Sequence, residues 1–254
     1  MISIVIPMLN EAENLPKLIA HLATHASDTS NLSEVIFVDG GSIDGTQNIA
    51  LRLAKNYPTL NISLLPAEKG RARQMNTGAK KSTGSILYFL HADSFPPQDY
   101  DKLIIDEVEK GNPAGCFRMK FISNHWWLKL AGWLTRFNWR ACRGGDQSQF
   151  ITSSLFNDIG GYDETYIIYE DNILLNELYA RKQFVVIPHW IQSSARLYET
   201  KGVWYVQYHF WKIYIKKWKG AGPDELFEYY VKYFKRCGDV PQQLNNSAEI
   251  VTDN

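Results

Sequence analysis

The segment SILYFLHAD, residues 85–93, decides the fold of this chain. The run from Ser85 to Leu90 is rich in β-branched and aromatic side chains, which predicts a strand buried on both faces, as in parallel sheets. Asp93 then follows the carboxyl end of that strand, where open α/β sheets bind ligands. Taken alone, such an aspartate is more often a helix or loop cap. A role toward a metal ion or a phosphate therefore depends on whether the rest of the chain repeats the pattern.

Two earlier apolar runs end in the same way. Ile2–Ile6 is followed by the polar segment PMLNE, residues 7–11, and Val35–Val38 by DGGSIDGT, residues 39–46. Amphipathic patterns predict helices over residues 13–24 and 46–57, and a short strand over residues 62–65. Strands that alternate with helices indicate an α/β fold with a mostly parallel sheet and right-handed crossovers. The three polar strand ends are then expected to meet at one edge.

Composition narrows the class of protein. The 254 residues are 45% hydrophobic, enough for one enzyme-sized domain, and the 27 basic residues equal the 27 acidic ones, so charge gives no reason to expect nucleic acid as a partner. The odd number of cysteines, Cys116, Cys142 and Cys237, favours a reducing compartment. The chain enters its first strand at once and has no apolar run of about 20 residues, so we expect a cytoplasmic protein.

The polar segments of the first half have the chemistry of a nucleotide site. Asn10 and Glu11 stand between a strand and a helix, and Asp39 is followed by two glycines that permit a sharp turn. The segment KGRARQMN, residues 69–76, adds cations suited to a diphosphate. The chain has neither a Gly-rich dinucleotide fingerprint after the first strand nor a Walker loop, which argues against NAD and against ordinary NTPase chemistry.

Six segments occur in a familiar order: SIVIPMLNE, FVDGGSIDGT, KGRARQMNTGA, FLHAD, GGDQSQF and YED. Together they resemble glycosyltransferase family 2 enzymes, which have the GT-A fold, and the resemblance extends over about residues 2–197. It is strongest to a bacterial subgroup of arsenosugar-biosynthesis type, in which GRARQMN, HAD and a later SAR motif recur. It implies a Rossmann-like α/β domain that transfers a sugar from a nucleotide-sugar donor, a UDP- or GDP-sugar.

The resemblance also implies roles for individual residues. Asp171 would be the catalytic base of a reaction that inverts the anomeric carbon in one displacement. Residues expected to bind the donor are Pro7, Asn10, Glu11, Asp39, Ser42, Arg71, Arg73, Asn76, His91, Asp93 and Arg196. A surface salt bridge is the alternative for Arg196.

The expected metal site departs from the family pattern. Asp93 corresponds to the last acid of the DXD motif, but His91 stands where the first acid would be. The implied cofactor is a divalent metal, Mg²⁺ or Mn²⁺; imidazole is a good ligand for Mn²⁺, whereas Mg²⁺ prefers the oxygens of Asp93 and the diphosphate. A hydrogen bond from His91 to the nucleotide or to the backbone is the alternative role.

The second half is expected to bind the acceptor, a sugar or a lipid-linked hydroxyl. Asp146 and Gln147 lie in a loop that enters a strand, and Glu170 and Asp171 precede an apolar helical pattern. Without the resemblance, these residues would be interpreted as a solvated turn and as helix caps.

Two aromatic stretches, residues 125–137 and 203–218, are predicted to be helical. Three uses remain open for them: packing on the sheet, an aromatic platform for sugar rings, or contact with a membrane at its inner face. We expect one domain over residues 1–238, with the donor half over 1–110 and the acceptor half over 111–238, and a flexible tail over 239–254. Two other functions remain open: a nucleotidyltransferase that forms nucleotide-sugars, and a non-catalytic nucleotide-sugar-binding protein.

Overall fold

An eight-stranded sheet forms the centre of the structure, a computed structural model that describes residues 1–144 and 147–234. The strands are β1 Ile2–Met8, β2 Leu32–Asp39, β3 Ile62–Pro66, β4 Ile86–Phe89, β5 Ser94–Phe95, β6 Ala114–Ile122, β7 Gln149–Thr152 and β8 Val185–Ser194. The α-helices over these residues are α1 Leu15–His25, α2 Thr46–Asn56, α3 Arg71–Lys81, α4 Tyr100–Glu109, α5 Trp126–Leu134, α6 Ser153–Ile159, α7 Glu170–Ala180, α8 Arg196–Lys201, α9 Val203–Trp218 and α10 Pro223–Phe234.

The strands lie in the order β3-β2-β1-β4-β7-β6-β8-β5. β3, β2, β1 and β4 are mutually parallel, β7 is antiparallel to both of its neighbours, and β6 and β8 are parallel. The prediction of a mostly parallel α/β sheet flanked by helices is therefore confirmed. Because β2, β1 and β4 are adjacent and parallel, the polar segments that follow them meet at one edge of the sheet.

The central strands are buried on both faces, as their apolar sequences predict. Along β1, Ile4 faces a core that includes Leu18 and Phe37, whereas the next residue, Val5, faces a second core that includes Met75. Helix α3 packs very closely on the second face, because a Cβ atom added at Gly78 would lie 2.4 Å from Cγ1 of Val5. This alternation with a period of two is the pattern of a strand between two helix layers.

A buried carboxylate ties α4 to the loop after α1. Asp101 has no exposed surface and accepts hydrogen bonds from Ser27 N and Oγ, both at 2.7 Å, from Asp28 N at 3.2 Å and from Asn31 Nδ2 at 2.8 Å. Burial acts to raise the pKa of Asp101, but these hydrogen bonds outweigh burial and lower it. The charged form of Asp101 is thus the form that holds this loop.

Several element boundaries differ from those predicted. The first helix begins at Leu15 rather than residue 13, and β2 begins three residues before Val35, at Leu32. β8 is irregular: its register with β6 skips two residues between Ile187 and Trp190.

Both aromatic stretches are helical, as predicted, over α5 and α9. The buried side of α9 includes Val206 and Ile213, which form a small core with Leu226 and Phe234 of α10. Helix α10 was not predicted. The tail expected over residues 239–254 and Cys237 lie outside the described residues.

Candidate active site

The loops after β1 and β2 are joined by hydrogen bonds. Asn10 has a positive φ of 56°, and its backbone N–H donates to Ser42 Oγ at 2.9 Å, while its side-chain oxygen accepts from Ile43 N at 2.9 Å. Glu11 N donates to Thr46 Oγ1 at 2.9 Å. Pro7 lies in the last part of β1, opposite Val38 of β2. Four of the predicted donor residues, Pro7, Asn10, Glu11 and Ser42, are thus close together at the sheet edge.

Asp39, at the end of β2, organises the loop that follows it. Its carboxylate is buried and accepts hydrogen bonds from the backbone N–H groups of Gly41 and Ser42, from the Ser42 hydroxyl, and from Gln47 Nε2 at 2.6 Å. Gln47 itself is exposed, and a contact of Asp39 with a nucleobase stays a prediction. Asp39 therefore already holds the loop in place before any ligand binds.

Helix α3 contributes a residue that sequence reasoning missed. Gln74 is buried, and its amide nitrogen donates to Met8 O at 2.8 Å and Val38 O at 2.7 Å, which ties the ends of β1 and β2 to the helix. The sequence does contain a signal for this role: Gln74 stands three residues after Arg71, on the side of the helix that faces the sheet. Gln74 supports the sheet edge and leaves the arginines on either side of it partly exposed.

Two other predicted donor residues of α3 have partners away from that edge. Asn76 is buried; its Nδ2 donates to Tyr162 O at 2.9 Å and to Glu164 Oε1 at 2.8 Å, and its Oδ1 accepts from Tyr162 N at 2.9 Å. Arg73 pairs with Glu68 at 2.6 Å, and both side chains are largely exposed. Asn76 therefore holds the turn before α7 in place. A contact of Asn76 or Arg73 with the sugar donor stays a prediction.

The segment after β4 carries Asp93 and His91. The backbone N–H of His91 donates to Ser148 Oγ at 3.3 Å, and Ser194 N donates to Asp93 O at 3.2 Å, so this turn is anchored to the regions around β7 and β8. The Asp93 side chain is 29% exposed and faces Arg196, whose Nη2 lies 3.7 Å from Asp93 Oδ2.

Arg196 connects the acids of two different loops. Its Nη2 donates to Glu11 Oε1 at 3.0 Å and also lies within ion-pair distance of Asp93. The hydrogen bond with Glu11, together with the charges of Glu11 and Asp93, raises the pKa of the guanidinium above its ordinary value. The structure thus brings Arg196 to the predicted donor site, where it forms the salt bridge that was the alternative expectation.

A second arginine bridges the acids of α7. Arg71, the first residue of α3, has Nη1 at 3.1 Å from Asp171 Oδ2 and Nε at 3.4 Å from Glu170 Oε1. Both carboxylates are buried in the first turn of α7, where the helix dipole favours negative charge. Tyr169 precedes them with a positive φ of 74°, a rare conformation for a bulky residue. The ring of Tyr214 from α9 lies 5.4 Å from that of Tyr169.

Tyr162 lies behind the two acids. Its side chain is buried, and its hydroxyl has no hydrogen-bond partner among the described residues. Burial, and then the charges of Asp171 and Glu170, raise the pKa of Tyr162 well above its ordinary value. Its ring therefore stays neutral and presents an apolar wall to this side of the site.

The predicted acceptor loop is organised by a buried arginine. Arg143 is 3% exposed and donates to Gln147 Oε1 at 3.0 Å, to Phe137 O at 2.7 Å and to Thr135 O. Gln147 is also buried, with its amide nitrogen bonded to Cys142 O at 3.0 Å. The Gln147 side chain therefore holds the loop, and a contact with an acceptor stays a prediction. Asp146 lies outside the described residues.

Asp93 and His91 suit a metal ion whose coordination is completed by a bound ligand. Within residues 1–144 and 147–234, no three histidine, cysteine, aspartate or glutamate side chains gather into a group that could hold a metal ion. Asp93 offers a partly exposed carboxylate with His91 two residues before it. Mg²⁺ and similar ions are commonly held by one or two carboxylates and the phosphates of a substrate. These residues therefore suit a metal whose remaining ligands come from a diphosphate.

Comparison with known proteins decides the family. The family model described as "Glycosyl transferase family 2" matches residues 3–162, from β1 to the turn before α7. The chain belongs to glycosyl transferase family 2. This match confirms the predicted family and, with it, the prediction of a glycosyltransferase enzyme.

Two curated transferases match only part of the chain. Glycosyltransferase AglE of Haloferax volcanii is 37% identical over 99 residues, which are 39% of this chain and 32% of AglE. An undecaprenyl-phosphate 4-deoxy-4-formamido-L-arabinose transferase of Salmonella choleraesuis is 29% identical over 119 residues, which are 46% of this chain and 36% of that protein. The matched regions thus span about a third of the length of these relatives.

A solved mannosyltransferase structure has the same fold. The mannosyltransferase PcManGT of Pyrobaculum calidifontis, in complex with GDP-Man and Mn²⁺, superposes with a TM-score of 0.64 at 18% identity, over 91% of this chain and 69% of that one. The likeness confirms the predicted GT-A architecture. Over the described residues, no helix has the length and apolar character needed to cross a bilayer.

Proposed function

We propose that this family 2 enzyme transfers a sugar from a nucleotide diphosphate-sugar to an acceptor hydroxyl, with inversion at the anomeric carbon. The observation that carries the proposal is the pair of arginine bridges. Arg196 joins Glu11 to Asp93, and Arg71 of the GRARQMN segment joins that segment to Glu170 and Asp171. Acids for a metal and a base therefore lie beside cations suited to a diphosphate, which are the groups that a one-step displacement needs.

The donor side is formed by the segments after β1, β2 and β4. Asn10 and Ser42 are fixed to each other, and Asp39 holds the second loop, so the nucleoside meets a preformed surface. Pro7, Glu11, Arg71, Arg73, Asn76 and His91 complete the proposed donor set. The GDP-Man of the mannosyltransferase structure supports a nucleotide-sugar as donor, a UDP- or GDP-sugar.

The leaving diphosphate is stabilised by positive charge. Asp93, with His91, would hold the divalent metal, Mg²⁺ or Mn²⁺, and the Mn²⁺ of the mannosyltransferase structure supports that assignment. The metal, when bound, supplies positive charge to the phosphate oxygens. Arg196 lies 3.7 Å from Asp93, so it is close enough to turn from the acids toward a phosphate that enters the site.

Asp171 is the proposed base. The acceptor oxygen forms a bond to the anomeric carbon while the bond from that carbon to the diphosphate breaks. The hydroxyl proton passes to the Asp171 carboxylate, and the electron pair of the broken bond stays on the diphosphate. Arg71 holds the carboxylate in position through the 3.1 Å hydrogen bond, and Glu170 would contact the acceptor.

The acceptor is proposed to be a sugar or a lipid-linked hydroxyl, bound on the side of the loop that holds Asp146 and Gln147. A lipid-linked acceptor is supported by the relative named for undecaprenyl phosphate. We propose a donor half over residues 1–110 and an acceptor half over 111–238 of one domain, in a protein that works in the cytoplasm at the inner face of a membrane.

Nucleotide binding tests the donor site, and product analysis tests the reaction. In a thermal-shift series, UDP or GDP should raise the melting temperature, and more so with Mn²⁺. Incubation with UDP-GlcNAc or GDP-mannose and a polyprenyl-linked sugar, which offers acceptor hydroxyls, should release nucleoside diphosphate. Release of pyrophosphate from a nucleoside triphosphate and a sugar phosphate would instead indicate a nucleotidyltransferase. Tight binding without turnover for any donor would indicate a non-catalytic binding protein.

A further inference from the structure

The outer faces of α5 and α9 carry large apolar side chains that are exposed in the described part of the chain. On α9, Trp204, Tyr208, Trp211, Ile215 and Trp218 follow one another at spacings of four and three residues, so they form one stripe along the helix. On α5, Trp126, Leu130 and Trp133 form a similar stripe. We call these eight residues the aromatic surface; their exposed fractions run from 39% to 86%.

The two stripes meet where α5 begins. The Trp126 and Trp204 rings have centroids 5.8 Å apart, and Trp127 beneath them donates to Gln207 Oε1 at 3.0 Å. With eight side chains of at most roughly 200 Å² each, about half exposed, the aromatic surface presents up to roughly 800 Å². The largest apolar patch of an ordinary monomer is about 300–600 Å². Packing on β6 accounts for the buried face of α5, and the small core shared with α10 accounts for that of α9; within the described residues the aromatic surface stays exposed.

Charge identifies what the aromatic surface fits. Residues 111–145 contain six Lys and Arg and no Asp or Glu, and residues 200–223 contain five Lys and no acid, although the whole chain has 27 of each sign. Lys212 and Lys216 of α9, and Lys219 just after it, lie beside the aromatic stripe at spacings of four and three residues; Lys216 also pairs with Glu225 of α10 at 2.5 Å. The Lys212 ammonium lies 5.5 Å from the Tyr208 ring centroid. Aromatic rings flanked by lysines, with no acid between them, are complementary to anionic lipid headgroups above an apolar layer.

A second copy of the chain fits this surface less well. Symmetric dimers bring the same patch of each subunit together. The lysines beside the stripe would then face lysines; Glu225 of α10 compensates Lys216, but neither segment contains an acid that could compensate Lys212 or Lys219. Tryptophan and tyrosine, by contrast, are the residues that favour the boundary between lipid and water.

We infer that the aromatic surface of α5 and α9 docks the enzyme onto an anionic lipid bilayer. This inference deepens the proposed function, on which it rests for the lipid-linked acceptor. The inner side of α9 reaches the proposed acceptor site, since Tyr214 Oη lies 3.4 Å from Asn172 Oδ1, next to Asp171. Docking through the outer side of the same helix therefore brings the base close to the headgroups.

The test uses the full chain and two double variants, each of which replaces one exposed large apolar side chain with alanine and one lysine with glutamate. Trp218→Ala with Lys219→Glu alters the aromatic surface; Trp218 is 86% exposed, so the fold should not change. Leu51→Ala with Lys55→Glu is the matched control on α2, where Leu51 is 53% exposed. Each protein is floated with phosphatidylcholine vesicles, with and without roughly one-third phosphatidylglycerol, at low and high salt.

The unaltered chain should bind the anionic vesicles at low salt and lose most of that binding at high salt. The α9 variant should partition at least about tenfold less, and the α2 variant within about twofold of the unaltered chain. Three results would overturn the inference: no vesicle binding by the unaltered chain, equal binding by both variants, or a concentration-dependent dimer that the α9 variant abolishes. The nucleotide-induced thermal shift, measured in parallel, should be the same in all three proteins. If no nucleotide shifts the melting temperature, the proposed function loses support, whereas the vesicle experiment still tests membrane docking.

Discussion

Replacing Asp171 with asparagine separates the proposed base from its structural surroundings. Asparagine has nearly the same shape and keeps an oxygen that can accept from Arg71 Nη1, now at 3.1 Å from Asp171 Oδ2. Arg71 also keeps its contact with Glu170 at 3.4 Å. The change removes one negative charge and the ability to take a proton, and little else. We expect the fold and the donor site to be preserved.

Turnover should fall by at least a hundredfold, the ordinary scale for loss of a general base, which corresponds to about 2.7 kcal/mol in the activation barrier. Release of nucleoside diphosphate from UDP-GlcNAc or GDP-mannose, with Mn²⁺ and a polyprenyl-linked sugar whose hydroxyl is the nucleophile, measures this rate. The KM for the donor and the affinity for UDP or GDP should stay within about twofold, because Asp171 touches neither in the proposed mechanism.

Glu170→Gln is the matched control. It changes a carboxylate that is buried to the same degree, in the same helical turn, and that contacts the same arginine. We expect a loss of less than about tenfold, because Glu170 is proposed only to contact the acceptor. A hundredfold loss in Glu170→Gln with nearly full turnover in Asp171→Asn would assign the base to Glu170 and refute the reasoning. Equal losses of turnover in both variants would indicate that the two acids share a structural role.

Three further changes test other parts of the structure. Arg196→Met should weaken UDP or GDP binding about tenfold in calorimetry, the scale of one charge-assisted hydrogen bond; unchanged affinity would exclude a phosphate contact. Gly78→Ala should lower the free energy of unfolding by about 1–3 kcal/mol in urea, because its Cβ would meet Val5 at 2.4 Å, whereas Gly222→Ala, with no atom within 4 Å, should have little effect. Asp101→Asn should cost about 2 kcal/mol at neutral pH. Because the pKa of Asp101 is lowered in the folded state, that difference should shrink as the pH falls below about 4; a difference that is constant with pH would contradict this account.

The sequence was sufficient for the part of the sheet in which each strand is buried on both faces. β1, β2 and β4 are continuous apolar runs, and parallel strands joined by helices fix the edge at which Glu11 and Asp93 meet. The acceptor side was harder. β7 pairs with β4 and β6 over long separations in sequence, and β8 contains an irregularity, so neither the register nor the direction of these strands follows from local pattern.

The direction in which a polar side chain points also could not be predicted from the sequence. Asn76 and Gln147 were predicted as ligand contacts, but the structure uses their amides for backbone groups and for Arg143. An amide serves a ligand and a buried backbone equally well, and only the fold determines which it meets. The pairing of Arg196 with Glu11, across 185 positions, is likewise a property of the fold. The motif residues were sufficient to predict the edge of the sheet at which the site lies. Their hydrogen-bond and ion-pair partners are determined by the fold.

The direction of β7 has a consequence for how this enzyme could change. Because β7 runs antiparallel to β4, Gln149 at its start lies opposite Phe89 at the end of β4. The segment that precedes β7 therefore reaches the same edge as the segments that follow β1, β2 and β4. Insertions into a surface loop cost little free energy, since closure entropy grows only with the logarithm of length. Evolution can thus lengthen or exchange the loop before β7, which is the proposed acceptor loop, while the strands and loops of the proposed donor side stay as they are.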